Sequence, residues 1–543
     1  MEESPASQPQ RRSRRRRSSA SPTPPRPLAV PDSTQGQRRR RSRSGSRGSS
    51  RSLRLPADIA LAPPQVGVIV VMAALAVALV LGGGGTTNPG TEMILQPLVA
   101  LILALPLLHP RLATGLGPVP RAAWVIAALV LIVPVLQLIP LPPAIWHALP
   151  DREMEVASLA LIGQADRWMP WSMAPARTFI SLLAMVVPVL MLLAVSRTDL
   201  IGRLWLCATI VAVAGASVML GALQLSHAAG HNWTLYSYAH FGVIVGFQAN
   251  HNAEADLLSI ALMACGVIAT AVVGLVPNRS LFWGGVAFTG AIMLVVVFLT
   301  GSRTGIALLP IALAFCAAMV WPLARQQFSR RTLWLGVGGG VAAVGLLLAV
   351  GLHSVDRIMN RFSNLNDSRR DIWIDTIHAL GQVWPAGGGV GSFPPIFNAA
   401  ERLEVVRNTV AGRAHNDWME WTLEAGLPGL IVLVAVLAIV GTMAWRRLGF
   451  ELREKGTLHS RAQALFALGI MAQLGAHALD DFPIREMSLA SLLAMAGALL
   501  FTPRAIAALA DRTPETPPLP ASAAPASAAP ADSAPLPQLL ENV

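Results

Sequence analysis

Charge is scarce in this chain of 543 residues. Only 13% are Asp, Glu, Lys or Arg, about half the share in ordinary soluble domains, which excludes a soluble globular protein. Cysteine is scarcer still, and three residues exclude a disulfide scaffold. Cys207, Cys265 and Cys316 all fall within apolar runs, where small apolar packing is their expected role. Most of the chain also lacks net charge. Residues 1–54 hold 15 Arg against Glu2, Glu3 and Asp32, which accounts for the whole formal charge of +12. The sequence pI of about 11.2 therefore describes a tail and not a nucleic-acid-binding domain.

That tail, with RRSRRRR and RRRRSRSGSR, has almost no large apolar residues. It cannot bury enough surface to offset the entropy of ordering and is predicted to be disordered. It reads as a solvated cytoplasmic tail that fixes topology, with affinity for anionic inner-leaflet lipid as a further role. No aromatic residues are interleaved for base stacking, so no nucleic-acid partner is expected. The tail is too long and too basic for a secretory n-region, and the first apolar run lacks a small-residue cleavage site. An uncleaved membrane anchor is expected. Residues 511–543, rich in Pro and Ala, are predicted to form a second disordered cytoplasmic tail.

What the chain has in abundance is apolar sequence, 53% of residues with a mean hydropathy of +0.53. Twelve runs approach the roughly 20 residues that cross a bilayer: 66–82, 93–109, 122–140, 178–195, 203–223, 253–276, 281–300, 304–323, 333–352, 428–445, 461–478 and 485–501. They are continuous and do not alternate, which argues helices and not a barrel. The expected fold is an all-α polytopic membrane protein of about twelve transmembrane helices, with residues 55–510 as the membrane domain. With the basic tail inside, the connections predicted inside carry Arg111, Arg121, Arg197, Arg203, Arg279, Arg325, Arg330, Arg331, Arg446, Arg447, Arg453 and Lys455. Those at 83–92 and 224–252, predicted outside, carry no Lys or Arg, in keeping with the positive-inside bias. Two outer segments are too long to be simple connectors. Residues 141–177 contain LPPAIWHALP and RWMPWSMAP and suit the membrane interface. Residues 353–427 form the largest loop and hold most of the polar chemistry.

Arg303, in LTGSRTG at the outer start of a helix, departs from the positive-inside pattern. It reads either as an arginine snorkelling to the headgroups or as part of an anion site with Ser302, Thr304 and Gly305 at a helix N-terminus. Arg369 and Arg370 lie in NDSRRDIWIDTIHAL, where Asn366, Asp367 or Ser368 would cap a helix and Ile372, Ile374, Ile377 and Leu380 mark its apolar face. They are either a solvated helix start or guanidinium donors to phosphate. The following PAGGGVGSF reads as a helix stop and turn. His415 opens HNDWMEWTLEAGLPG, predicted helical from Asn416 to Ala425 and stopped by Gly426, with Asn416, Glu420 and Glu424 on one face. It suits proton acceptance near neutral pH, or capping. His227, His231, His240 and His251 share one outer loop, but with no zinc spacing no metal site is expected.

The stretch RAHNDWMEWTLEAGLPGL resembles the signature of the O-antigen ligase and polymerase superfamily. GFQANHNAEADLL, with Asn250 and Asn252, LTGSRTGIALL, and SRRDIW through GGGVGSF resemble further segments of that family, with Arg369 matching its arginine better than Arg370. HALDDFPIR, with His477, Asp481 and Arg485, resembles a motif of its exopolysaccharide members. Glu254 and Glu420 depart from the pattern, standing where apolar or amide residues would be expected. The resemblance spans roughly residues 66–502. It implies a GT-C-like glycosyltransferase in the bacterial inner membrane. Such an enzyme moves a glycan from undecaprenyl diphosphate to a lipid or glycan acceptor on the periplasmic face, alongside polysaccharide-assembly proteins. Ligases of the family act on the lipid A core, polymerases on another lipid-linked repeat unit, and relatives on protein hydroxyls.

The chemistry of the residues fits. A diphosphate leaving group needs its developing negative charge compensated, for which Arg303 and Arg369 are the candidates, with no metal or other cofactor. A hydroxyl nucleophile gains from a base, for which His415 is the candidate. Arg370, Asn250, Asn252, Asn416, Glu424, His477 and Asp481 are candidate substrate-binding residues, Asn416 and Glu424 as groups that orient His415 or a sugar. A polysaccharide-unit flippase is the competing class, but the chain shows no related halves.

Overall fold

The computed structural model describes residues 62–85, 90–226, 233–236, 239–240, 243–331, 338, 368–406, 410–453 and 457–502. All lie in the unit Ser52–Val543. Both expected tails, the run at 333–352 apart from residue 338, His227, His231, Asn366, Asp367 and Lys455 fall outside the described residues.

The described residues are overwhelmingly α-helical. In chain order the first helices are α1 (Val66–Leu81), α2 (Gly90–Leu108), α3 (Arg121–Leu138), α4 (Pro143–Trp146) and α5 (Glu153–Leu161). Next come α6 (Pro175–Ser196), α7 (Leu200–Ser226), α8 (His251–Val272), α9 (Arg279–Leu299) and α10 (Arg303–Gln327). The last are α11 (Ser368–Val383), α12 (Phe393–Ala400), α13 (Asp417–Leu452), α14 (Leu458–His477) and α15 (Met487–Leu499). Seven of these are long and apolar enough to cross a membrane: α3, α6, α7, α8, α9, α10 and α13. The short antiparallel pair Pro140–Leu141 and Met169–Pro170 closes the segment between α3 and α6. The chain is thus an all-α polytopic membrane protein, and apart from 333–352 every predicted apolar run coincides with a helix.

α8 is the central element. It is 78% buried over its most apolar window, against 6% for α13, and packs against α7, α9, α10 and α14. α13 lies at the rim, with Ile431 and Val434 exposed. Prolines sit inside α2, α3, α6, α10 and α13, which membrane helices tolerate because neighbours re-satisfy the freed carbonyls. Helix starts are capped in sequence: the side chains of Asn250, Asn278, Ser302, Asn416 and Thr457 accept backbone N–H bonds at the heads of α8, α9, α10, α13 and α14.

Helix direction sorts the connections into two ends. At one end Arg197 donates to the Gly117 carbonyl, Arg203 to those of Leu499 and Phe501, and Arg447 pairs with Glu451. This end gathers the described arginines predicted to lie inside. The opposite end collects the head of α8, the heads of α10, α13 and α15, and the tail of α14. Backbone bonds tie it together, from Asp417 N to the Ala478 carbonyl, Ala249 N to Gly83 and Ser488 N to Gly82.

One predicted face is corrected. In α11 only part of the predicted stripe faces the core: Ile372 and Leu380 pack against it, Ile374 and Ile377 are exposed, and Asp375, Thr376, Ala379 and Val383 are buried. Asp375 is held inward by Arg402, so an ion pair takes the place of those two exposed isoleucines on the buried side.

Candidate functional site

His415 lies two residues before α13, next to its cap Asn416, and adopts φ 49°, a left-handed conformation uncommon outside glycine. Its neighbours over-determine that turn. Ala414 N donates to Glu420 Oε2 at 2.9 Å, and Asp417 N donates to the Ala478 carbonyl at 2.9 Å. The ring lies with Nδ1 2.9 Å from Asp481 Oδ1 and packs beside Phe482. With Nδ1 held by the carboxylate, Nε2 is left as the basic nitrogen. His415 also lines a cleft of about 210 Å³ with Asp371, Asp375 and Glu401.

Asp481 is the hub. Its Oδ2 accepts from Asn252 Nδ2 at 2.6 Å and from Asn250 Nδ2 at 3.4 Å, and lies 3.9 Å from the Arg369 guanidinium. Burial would push this carboxyl up, but the hydrogen bond and charge of His415, with His477 and Arg369, hold it well below the usual carboxylate range. Asp480, its neighbour, accepts from Arg369 at 2.6 Å and from Thr304 Oγ1 at 2.5 Å.

Arg369 reaches this cluster because it and Trp373 are four apart on one face of α11. Trp373 Nε1 donates to the Ala414 carbonyl at 3.0 Å, next to His415. Arg370 points to solvent. Arg303 is the exposed first residue of α10. Ser302 Oγ donates to Asn252 at 2.6 Å and Thr304 to Asp480, so the head of α10 abuts the same cluster. The structure thereby brings together His415, Asp481, Arg369, Asn250 and Asn252, with Arg303 at the rim.

Three expected site residues have other bonded partners, though His477 Nε2 also lies 4.0 Å from Asp481 Oδ2. His477 is buried beneath the cluster and bonded through Nδ1 to Asp256. Asn416 caps α13 through Met419 N and donates to the Leu479 carbonyl. Its backbone is extended, so it does not share the face of Glu420 and Glu424. Glu424 is fully buried, accepts from Phe393 N and pairs with Arg485 at 2.8 Å. The bond to the His415 ring comes instead from Asp481. The rings of His240 and His251 lie 4.8 Å apart, tilted at 54° to one another. Among the described residues no group of three or more His, Cys, Asp or Glu is arranged to hold a metal.

Sequence reasoning gave Arg485 no role. It anchors Glu424 and lies 3.4 Å from Asp417 and 3.7 Å from Glu420, and Arg413 pairs with Glu420 at 2.9 Å. Those carboxylates hold Arg485 even more firmly protonated than usual, against the effect of burial. The signal available was the i, i+4 spacing of Glu420 and Glu424, which calls for two cations when buried. The glycine turn after α11 clamps the same region: Gly388 N and Gly389 N donate to the carbonyls of Leu423 and Glu424. At Gly426, φ 58° breaks α13, and a Cβ there would lie 2.4 Å from the Pro385 carbonyl oxygen.

Residues 288–434, which include Arg303, Arg369 and His415, match the family model described as O-antigen ligase. Over 209 residues the chain is 28% identical to the exopolysaccharide production protein ExoQ of Rhizobium meliloti (strain 1021), covering 37% of this chain and 47% of that protein. The chain thus spans about half the length of this curated relative. Both findings support the resemblance that the motifs carry: this chain is similar to the O-antigen ligase and polymerase superfamily.

Proposed function

We propose that the chain is a membrane glycosyltransferase of this superfamily. In this reading it moves a glycan from undecaprenyl diphosphate to an acceptor hydroxyl on the periplasmic face of the bacterial inner membrane. The observation that carries the reading is the His415–Asp481 pair beside the Arg369 guanidinium. His415 Nε2 takes the proton of the acceptor hydroxyl as its oxygen attacks the anomeric carbon. The bond from that carbon to the diphosphate breaks, and undecaprenyl diphosphate leaves with the electron pair. Direct displacement inverts the anomeric configuration. Asp481 fixes the imidazole and stabilises its protonated form, as an acidic partner does for a general base. Arg369 and Arg303 compensate the charge on the leaving group, so the reading needs no metal. Asn250 and Asn252 hold Asp481 and border the donor phosphates, and Arg370 stands at the entrance.

The same reading takes the chain as a GT-C-like enzyme of twelve spans, with residues 55–510 as the catalytic domain, both tails cytoplasmic, and residues 353–427 periplasmic. Ligase and polymerase differ in the acceptor and share this chemistry.

The test is transfer by the purified chain in lipid, from an undecaprenyl-diphosphate-linked glycan, with donor binding measured separately. His415→Ala is expected to bind donor nearly as the unaltered chain does and to transfer about 10²–10⁴-fold more slowly. Transfer at the unaltered rate would overturn the assignment of the base.

A further inference from the structure

The proposed mechanism leaves one buried histidine unused. His477 closes α14 at the site end, and its ring is buried between Asp256 of α8 and Asp481. Nδ1 is bonded to Asp256 Oδ2. Nε2 lies 4.0 Å from Asp481 Oδ2 and has no hydrogen-bond partner among the described residues. Gln473, one turn earlier on the same face of α14, donates to Asp256 Oδ1 at 3.1 Å. Asp256 is thus held from α14 at both oxygens, and that hold fixes where the ring points.

A buried carboxylate is costly unless a cation accompanies it. Among the described residues, His477 is the one group bonded to Asp256 that can carry positive charge. A neutral ring that donates to Asp256 would aim a bare Nε2 lone pair at the Asp481 carboxylate, which repels it. A protonated ring gives both carboxylates a positive partner and turns the orphaned nitrogen into a donor aimed at Asp481. The other acidic groups near the ring are Asp480, which Arg369 holds, and Glu486, buried at the head of α15 beside Asp481 and Asp256. Neither opposes a positive charge there. Of the cations at this end, Arg369 and His415 reach Asp481 from α11 and from the head of α13. Arg413 and Arg485 are taken up by Asp417, Glu420 and Glu424, and Arg303 is exposed at the rim.

A charge beneath Asp481 bears on His415. An ionised Asp481 accepts the His415 Nδ1–H and leaves Nε2 bare. A protonated Asp481 would donate to Nδ1 instead and leave the hydrogen on Nε2, where no base remains. Burial favours the protonated form of Asp481, and the positive groups around it favour the carboxylate. We propose that His477 is a positioning residue: a buried imidazolium, held between Asp256 and Asp481, that keeps Asp481 a carboxylate and so keeps His415 in the tautomer that can accept a proton. The part played by His415 as base rests on the transferase reading given above; the charge on His477 does not.

Nitrogen NMR of the purified full chain in detergent, with labelled histidine, reads the charge without turnover. At about pH 7.5, one unit above the ordinary histidine value of about 6.5, a signal with both ring nitrogens protonated is expected. It should vanish in His477→Gln, which keeps an N–H for Asp256 but cannot carry charge. Absence of such a signal from the unaltered chain would overturn the proposal, even if the variant does not fold. So would a signal that survives in His477→Gln. The signal lost in His415→Ala marks His415. Its titration midpoint is expected about half a unit or more higher in His477→Gln, because the His415–Asp481 pair then holds its proton more tightly. An unmoved midpoint would reduce His477 to packing and overturn its positioning role. In the transfer assay the acid limb of the rate should move by the same amount. A midpoint that moves while the rate limb stays would support the coupling and count against His415 as the base, which separates the two failures.

Discussion

His415 Nδ1 and Asp481 Oδ1 lie 2.9 Å apart although 66 residues separate them in the chain, one at the head of α13 and the other between α14 and α15. The pairing joins the two segments that close the site end of the helices. In the proposed mechanism it also decides which imidazole nitrogen is basic.

If Asp481 positions His415, Asp481→Asn should lower transfer by about 10²–10⁴-fold and leave the donor Kd within about threefold. The measurement is single-turnover transfer alongside donor binding. An effect on binding alone would give Asp481 a structural role.

The depressed titration of Asp481 has a consequence for stability. A carboxyl whose folded value lies below its unfolded one stabilises the fold above the unfolded value, about 3.9, and loses that contribution as pH falls through the folded value. The difference in thermal stability between the unaltered chain and Asp481→Asn should therefore shrink in strong acid, as the pH falls below the unfolded value of about 3.9. Thermal unfolding in detergent at a series of pH values checks this.

Arg303→Lys keeps charge but loses the planar fork, and Arg369→Ala loses both. Each is expected to raise the donor KM about tenfold or more, because bidentate phosphate contacts do not survive the exchange of Arg for Lys. Donor titration of the transfer rate reads the effect.

Gly426→Ala should destabilise the protein by about 2–4 kcal/mol, since the position has φ 58° and the new methyl would meet the Pro385 carbonyl. Gly475→Ala, within α14 where nothing lies within 4 Å of the added carbon, should change stability by less than about 1 kcal/mol. Thermal shifts of the two variants in the same detergent compare them directly.

A cysteine at Asn398, exposed on α12, should react with an impermeant thiol reagent in intact spheroplasts. The native Cys207, Cys265 and Cys316 sit within helices α7, α8 and α10 and give the background. Reaction only after lysis would place the site on the cytoplasmic side.

Most of the helices were legible in the sequence because a bilayer asks one thing of each span, an uninterrupted apolar run that satisfies its own backbone. The arginines of one end were legible for a similar reason, since charge next to a membrane obeys a simple bias. His415, Arg303 and Arg369 could be singled out because their types and neighbours are unusual in an apolar chain. Asp481, Asn250 and Asn252 could be named as candidates too, but not which residue each would meet. Asp481, Asn252 and Arg369 meet across hundreds of residues, and only helix packing decides which loop ends coincide. The face of α11 was legible only in part, since Ile372 and Leu380 pack inward while Ile374 and Ile377 are exposed and Asp375, held by Arg402, is buried in their place, and the pairing of Glu424 with Arg485, 61 positions away, could not be read from spacing. The sequence by itself determined the apolar helices, the end that gathers arginine and the kinds of chemistry available, all set by local polarity against the solvent. The tertiary structure alone decided which carboxylate lies against the histidine and which arginines pair with buried glutamates, because buried charges choose their partners by proximity in space.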